Sequence, residues 1–507
     1  MSAALSIITG PDGHTSRASQ LPCDEEKQRT SSNSPAMPQG AGEKSSRDPY
    51  EVVLEKEDDP LELSLARRWA AVVTICAAGT CVTCASSAAA AAESQLQEEF
   101  GVPKEVAILG ISLFVAGLAF GPLIASPVSE MWGRNIVYRT SFIAFFIFNF
   151  AVAFAPNIAV YLVFRFLTGW CGAAFLSVAG GSVSDLFPKD KVATPVAVYT
   201  LSPFMGPELG PLYSGFVNQN TSWRWTFYVI IIWSFLQIIA LYLFVPETYA
   251  PTIVAWKAYR LRKTKKDNRY FAKAERHDKS FVQALIISCY KPFQLVFYER
   301  MAFLINLWNS LILGIIYLTF QAFPVIFGDI HGFAPEFVGI CFLGIALGMV
   351  LALASQPYWN GRARRYRKEH GDPPPEFSLV MGQVGGVLVA VGLYVMAFTT
   401  YKSVSPAGPI IGSIPFGAGA FFVFTSSFTY LVSTYRPIAA SAMASNTAMR
   451  CCFAAGFPLF AGPMYDTLGT VGATALLAGL TTLMAPLPFV FYKYGARLRE
   501  RSRFAVA

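Results

Sequence analysis

Long apolar stretches separated by short polar ones run along most of the chain. A helix needs about twenty apolar residues to cross a bilayer. Stretches of that kind occupy 69–92, 106–128, 136–155, 159–183, 192–217 and 223–245. A long polar segment follows, and then six more stretches at 301–327, 338–357, 377–400, 408–432, 438–464 and 471–492. We number these spans 1 to 12. The pattern predicts an all-α polytopic membrane protein of twelve transmembrane helices, arranged as two six-helix halves around a central cavity. Its expected parts are a disordered cytoplasmic N-terminal tail (1–66), an N-terminal six-helix half (67–245), a basic cytoplasmic linker (246–300), a C-terminal six-helix half (301–492) and a cytoplasmic C-terminal tail (493–507).

Charge between the spans sets the orientation. Arg67 and Arg68 stand directly before span 1, and KAYRLRKTKK, GRARRYRK and ARLRERSR all follow even-numbered spans. The intervening loops APNIA, GDIHGFAPEF and DTLGT hold no Lys or Arg, with Lys104 and Lys402 as isolated exceptions on other loops of that side. Lys and Arg collect on the cytoplasmic side, so both termini are expected there, with the plasma membrane as the expected site and an internal membrane such as the vacuole as the alternative. Asn220-Thr221-Ser222 is a glycosylation acceptor pattern on a loop expected outside.

Composition removes other classes. The chain is 54% hydrophobic and 14% charged over 507 residues, where a soluble protein is about a quarter charged. The net charge of +8 is that of basic cytoplasmic loops and does not point to nucleic acid. Most of the nine cysteines lie in apolar segments, and Cys81 and Cys84 have no second pair at zinc-ligand spacing, so no metal site is expected. The four histidines fall outside the spans. No secretory signal peptide is read at the start. Residues 1–48, rich in Ser, Pro, Gly and Gln, suit a disordered tail.

Span 2 ends in SEMWGRN, a tight charged turn into span 3. Gly133 permits a backbone conformation other residues resist. Glu130 and Arg134 can pair with each other or with neighbouring helix ends, and Asp185 in SDLFPKDK is expected in the same cluster. Such a turn either latches helices in one conformational state or simply anchors a positive charge at the inner face.

Several segments carry a resemblance. GPLIASPVSEMWGRN, LVFRFLTGWCGAA, SPFMGPELGPLYSGF, SWRWTFY, VPETYAPTIVAWKAYRLRK, Tyr435-Arg436-Pro437, SAMASNTAMR and FPLF occur in that order. Together, from about Asp59 to Tyr492, they resemble the major facilitator superfamily, and within it the fungal-type drug:proton antiporters with twelve spans. The resemblance implies the two-half fold, export driven by a proton gradient with no cofactor, and organic substrates such as antifungal drugs, polyamines and secondary metabolites, including glycolipids and organic acids. It also departs in places. Ser433 stands where the family pattern leads one to expect an Asp, and the short polar signature after span 1 is replaced by alanines ending in Glu93, expected to be a solvated helix end.

The resemblance implies that Arg165 in span 4 takes part in proton coupling, the alternative being a donor to backbone carbonyls. A guanidinium there costs roughly 2.5–3.5 kcal/mol on insertion scales and should face inward. Glu208 sits in GPELGP, where Gly206 and Gly210 allow close helix approach and Pro207 and Pro211 bend the helix. Burial would let it load and release protons, the alternative being contact with a cationic or hydroxyl-bearing substrate. Arg450 in AMRCCFAAG is implied to be a regular feature of the fungal branch, orienting a polar network or attracting an anion. Asn306, Asn309 and Gln321 of span 7 should face inward because amides are costly against lipid.

The expected function is proton-coupled efflux of an organic compound by alternating access, in a monomer embedded in lipid. An importer on the same fold is the alternative, and a membrane enzyme or receptor a third class. Because Arg165 and Arg450 both admit structural explanations, neutral or amphipathic substrates rank above organic acids. The chain has no GxxxxGK[ST] loop, so ATP drive is not expected.

Overall fold

In lipid every backbone N–H and C=O must find its partner within the protein, which leaves the helix as the way to cross. The computed structural model describes Asp48, residues 50–188, 191–276 and 281–500, and Ser502. The tail at 1–47, with His14 and Cys23, and His277 in the linker lie outside the described residues.

Ten helical segments among the described residues are long and apolar enough to cross a membrane. They include span 1 at Leu65–Phe100, span 2 at Lys104–Trp132, span 3 at Arg134–Ala153, span 4 at Ile158–Leu186, span 6 at Arg224–Phe244 and span 7 at Arg300–Ile330. Spans 8, 9 and 10 are Pro335–His370, Pro375–Thr399 and Ala407–Thr434. Span 5, Ala193–Asn220, carries Glu208 and three internal prolines, and that polarity sets it apart from the others. The last segment, Ala439–Glu500, holds spans 11 and 12. The outer loop expected there shrinks to a kink at Gly469, with φ 69° and ψ 169°. Counting span 5 and this division gives the twelve membrane helices that the hydropathy pattern predicts.

The halves are built alike. In the first, span 1 packs on span 5, span 2 on span 4, and span 3 on spans 4 and 6. In the second, span 7 packs on span 11 and span 10 on spans 8 and 9. The two halves meet where span 5 packs on span 8 and span 2 on span 11.

The linker contains two helices, Ala250–Lys265 and Phe281–Tyr298. Lys257 pairs with Glu55 at 2.8 Å and Asp58 at 2.7 Å, tying the first helix to the segment before span 1. A two-residue parallel bridge, Glu51–Val52 with Phe271–Ala272, lies beside it. Arg262 forks onto both oxygens of Glu275 at 2.8 Å, which holds that carboxyl below the usual carboxylate range.

Candidate functional site

Span 5 approaches span 1 because it has no side chain at two positions. A Cβ on Gly206 would lie 2.0 Å from Thr83 Oγ1, and one on Gly210 would lie 1.9 Å from Ser87 Oγ. Pro207 and Pro211 alternate with these glycines, and both are buried. The same stretch carries Glu208, fully buried, with neither carboxylate oxygen hydrogen-bonded. An ionised carboxylate in that position would face a desolvation cost of several kcal/mol without compensation.

Arg165 is buried as deeply but is fully engaged. Nε donates to Gly110 O at 2.9 Å, Nη1 to Ala85 O at 2.9 Å and Nη2 to Ser86 O at 3.1 Å. The guanidinium also lies 4.5 Å from the Phe114 ring centroid. Span 1 supplies the Ala85 and Ser86 carbonyls because its α-helix stops at Ser87 and continues as a 3₁₀ turn through the alanines 88–92. A change of helix type frees carbonyls that would otherwise accept within the helix. The alanine run thus makes a receptor for the arginine, and three helices are tied together.

Span 7 faces inward with its amides. Asn306 Nδ2 donates to Ser445 Oγ and Asn446 Nδ2 to Asn306 Oδ1, each at 3.0 Å, joining spans 7 and 11. Asn309 is buried one turn on, with neither side-chain polar atom hydrogen-bonded. Gln321 Nε2 donates to Glu93 Oε1 at 2.7 Å across the two halves. This corrects the expectation for Glu93, which is 6% exposed rather than solvated. Its helix turns inward after the alanine run and its carboxylate finds Gln321. Ser86 Oγ and the Tyr317 hydroxyl make a second cross-half bond at 2.8 Å, and Phe204 stacks on Phe424 at 4.2 Å and 7°.

Below these contacts a cavity of about 580 Å³ opens between the halves at the end where spans 2 and 3 turn. Hydroxyl groups line much of it, among them Ser177, Tyr199, Thr200, Thr425 and Thr447, and Glu130 and Arg134 also line it. Ser433, the departure from the family's acid, is on its wall. Arg450 lies beside the cavity wall, with Cζ 5.1 Å from the Phe428 centroid, 5.5 Å from Phe204 and 5.7 Å from Phe424. Its Nε and Nη1 are buried without hydrogen-bond partners.

The turn between spans 2 and 3 belongs to the first half alone. Gly133 has φ 100°. Arg134 Nε bonds Asp185 Oδ2 at 2.6 Å, while Glu130 is exposed. Sequence reasoning missed Glu247 here. Its oxygens accept the backbone N–H groups of Arg134 and Asn135 at 3.0 Å, Thr248 at 3.0 Å and Tyr249 at 2.9 Å. A carboxylate at a helix N-terminus meets unpaired N–H groups and a favourable dipole. The signal available in the sequence was an acid directly after span 6, in VPETY. Asn220 is the last residue of span 5, its Nδ2 donating to Phe216 O at 2.9 Å.

The sequence matches the Major Facilitator Superfamily over residues 74–458. It is 46% identical to the efflux pump atB of Aspergillus terreus over 77% of this chain and 83% of that one. It is 40% identical to the probable drug/proton antiporter YHK8 of Saccharomyces cerevisiae over 90% of this chain and 89% of that one. Among solved structures, the human organic anion transporter MFSD10 superposes with a TM-score of 0.60 at 14% identity, covering 83% of this chain and 99% of that one. The xylose transporter XylE from E. coli gives 0.58 at 14% identity, covering 84% and 99%. At such identities these structures bear on the fold alone.

Proposed function

The chain belongs to the Major Facilitator Superfamily, and on that premise we propose that it is a proton-coupled efflux transporter that exports an organic compound by alternating access. Relatives named as an efflux pump and as a probable drug/proton antiporter, similar over most of their length, support export over import. The observation that carries proton coupling is Glu208: a fully buried carboxyl with no partner, one helical turn from a ring that stacks across the halves. A group so placed is held in its neutral form while shut in, and can ionise only when the halves rearrange and water or a cation reaches it.

Substrate enters the cavity between the halves, which pivot to close that end and open the other. Proton binding at Glu208 from the outer side then favours release and return. Each proton entering down an inside-negative potential contributes roughly 2.3 kcal/mol per 100 mV before any pH term. Arg165 holds spans 1, 2 and 4 as one body, so that closure is transmitted rather than absorbed. With the basic loops and both termini in the cytoplasm, the cavity faces the cytoplasm and Asn220 lies outside. The protein works as a monomer in the lipid bilayer of the plasma membrane.

Inside-out vesicles test this reading. Substrate uptake that collapses with a protonophore, and that Glu208→Gln abolishes or uncouples from the proton gradient, is the expected result. Gradient-independent uptake, or full coupling in Glu208→Gln, overturns it.

A further inference from the structure

Arg165, fully buried, and Arg450, half-buried, are treated very differently by their surroundings. Arg165 spends its donors on three backbone carbonyls. Arg450 is equally without an ion-pair partner among the described residues, yet its Nε and Nη1 have no hydrogen-bond acceptor. What surrounds it instead is aromatic: Phe204 from one half, and Phe424 and Phe428 from the other. Ring faces offset part of the desolvation of a guanidinium but supply no acceptor in the plane of its N–H groups. A structural arginine would be tied down as Arg165 is. This one keeps its in-plane donors unused.

The cavity lies against it. Phe428, the ring nearest the guanidinium, lines the cavity, as does Thr447, one turn before Arg450 on span 11. Thr425, also on the wall, has a buried Oγ1 with no hydrogen-bond partner. A cation, a spare hydroxyl and flat apolar rings therefore converge at one place on the wall of a space of about 580 Å³, a size that suits a small organic molecule. The planar guanidinium matches the geometry of a carboxylate, and charge-assisted hydrogen bonds in a low-dielectric site are the strong ones.

We propose that Arg450, with Phe204, Phe424, Phe428 and Thr425, is the receptor for the anionic group of the transported compound, and that the substrates are small organic acids carrying a carboxylate beside an apolar or aromatic body. The inference rests on the efflux reading and reverses the ranking that sequence alone gave, which placed neutral compounds first because both arginines had structural explanations. Only Arg165 has one. The Phe428 ring, which faces both the cavity and the guanidinium, turns aside as the carboxylate enters, and the stacked pair Phe204–Phe424 then borders the apolar body on one side.

The test compares matched pairs of probes that differ only in charge: benzoate, salicylate and phenylacetate against their carboxamides. Purified full-length protein in detergent should be stabilised against heat by the acids at concentrations about tenfold or more below those needed for the amides, the difference expected of a charge-assisted contact. Arg450→Gln should erase that preference, with Arg450→Lys retaining part of it. In inside-out vesicles the acids should be taken up with a proton-gradient dependence, and Arg450→Gln should raise their KM by about tenfold or more.

Equal stabilisation by acids and amides in the wild-type protein overturns the proposal, and so does an acid preference that survives in Arg450→Gln. The wild-type comparison decides even if the variant fails to fold. Gradient-driven uptake of neutral compounds with no response to acids leaves the efflux reading standing and removes the acid receptor. Acid-selective stabilisation without any gradient-driven uptake does the reverse.

Discussion

Gln321 of span 7 donates to Glu93 of span 1 at 2.7 Å, joining the two six-helix halves at the end opposite the cavity. With the Ser86–Tyr317 bond and the Phe204–Phe424 stack, it makes the contacts that must break when the protein opens the other way. An amide-to-carboxylate bond is worth about 1.5–3 kcal/mol when buried. Glu93→Ala should therefore shift the conformational equilibrium toward opening at that end by about tenfold or more. Spin labels placed at the outer ends of spans 1 and 7 should show a larger long-distance population in double electron–electron resonance. An unchanged distance distribution would mean that the bond does not gate.

A second consequence concerns Gly133. Its φ of 100° is one that side chains resist, and a Cβ there would lie 2.5 Å from Glu247 Oε2. Gly133→Ala must both strain the backbone and displace the carboxylate that caps span 3. A loss of about 1–3 kcal/mol is expected, read as a lowered Tm in detergent. Glu247→Ala should cost a similar amount, and the double variant much less than the sum, because both act on one cap. Additive effects would disconnect the glycine from Glu247.

These two relationships show what could be read in the chain and what could not. The twelve spans were legible because an apolar run of helix length has one stable outcome in lipid. The buried positions of Arg165, Glu208 and Asn306 followed from the cost of exposing them to hydrocarbon, and the placement of Arg134 beside Asp185 from charge at neighbouring helix ends. Glu93 was not legible. Its burial depends on a helix that tightens through five alanines and on an amide 228 positions away. Glu247 was missed for a related reason: its four N–H partners are backbone groups, which carry no residue identity for a sequence to display. The aromatic surroundings of Arg450 come from spans 5 and 10, and no periodicity in span 11 announces them.

The pair Arg134–Asp185 lends itself to a charge swap. Its side chains are 14% and 26% exposed, so the interaction is partly screened and worth about 1 kcal/mol or less. Asp185→Asn should lower Tm slightly. The exchange Arg134→Asp with Asp185→Arg should restore part of the loss if the pair acts through charge alone. No recovery would place the importance of Arg134 in its stacking on Tyr249, 5.1 Å from Cζ to the centroid.

Arg165 gives the sharpest separation between holding the fold and moving the proton. Removing its guanidinium leaves the carbonyls of Ala85, Ser86 and Gly110 without the donors that now satisfy them. Each buried carbonyl deprived of a donor costs about 1–3 kcal/mol. Arg165→Ala should therefore be among the most destabilising single changes in the protein. Arg165→Lys keeps a positive charge but presents one ammonium to carbonyls on two helices, so it can satisfy part of the fan and not its geometry. The expected order of Tm is wild type, Arg165→Lys, Arg165→Ala. Where Arg165→Lys remains folded, proton dependence of transport should persist, because Glu208 and its surroundings are untouched. A folded Arg165→Lys that transports without proton coupling would move the proton site from span 5 to span 4.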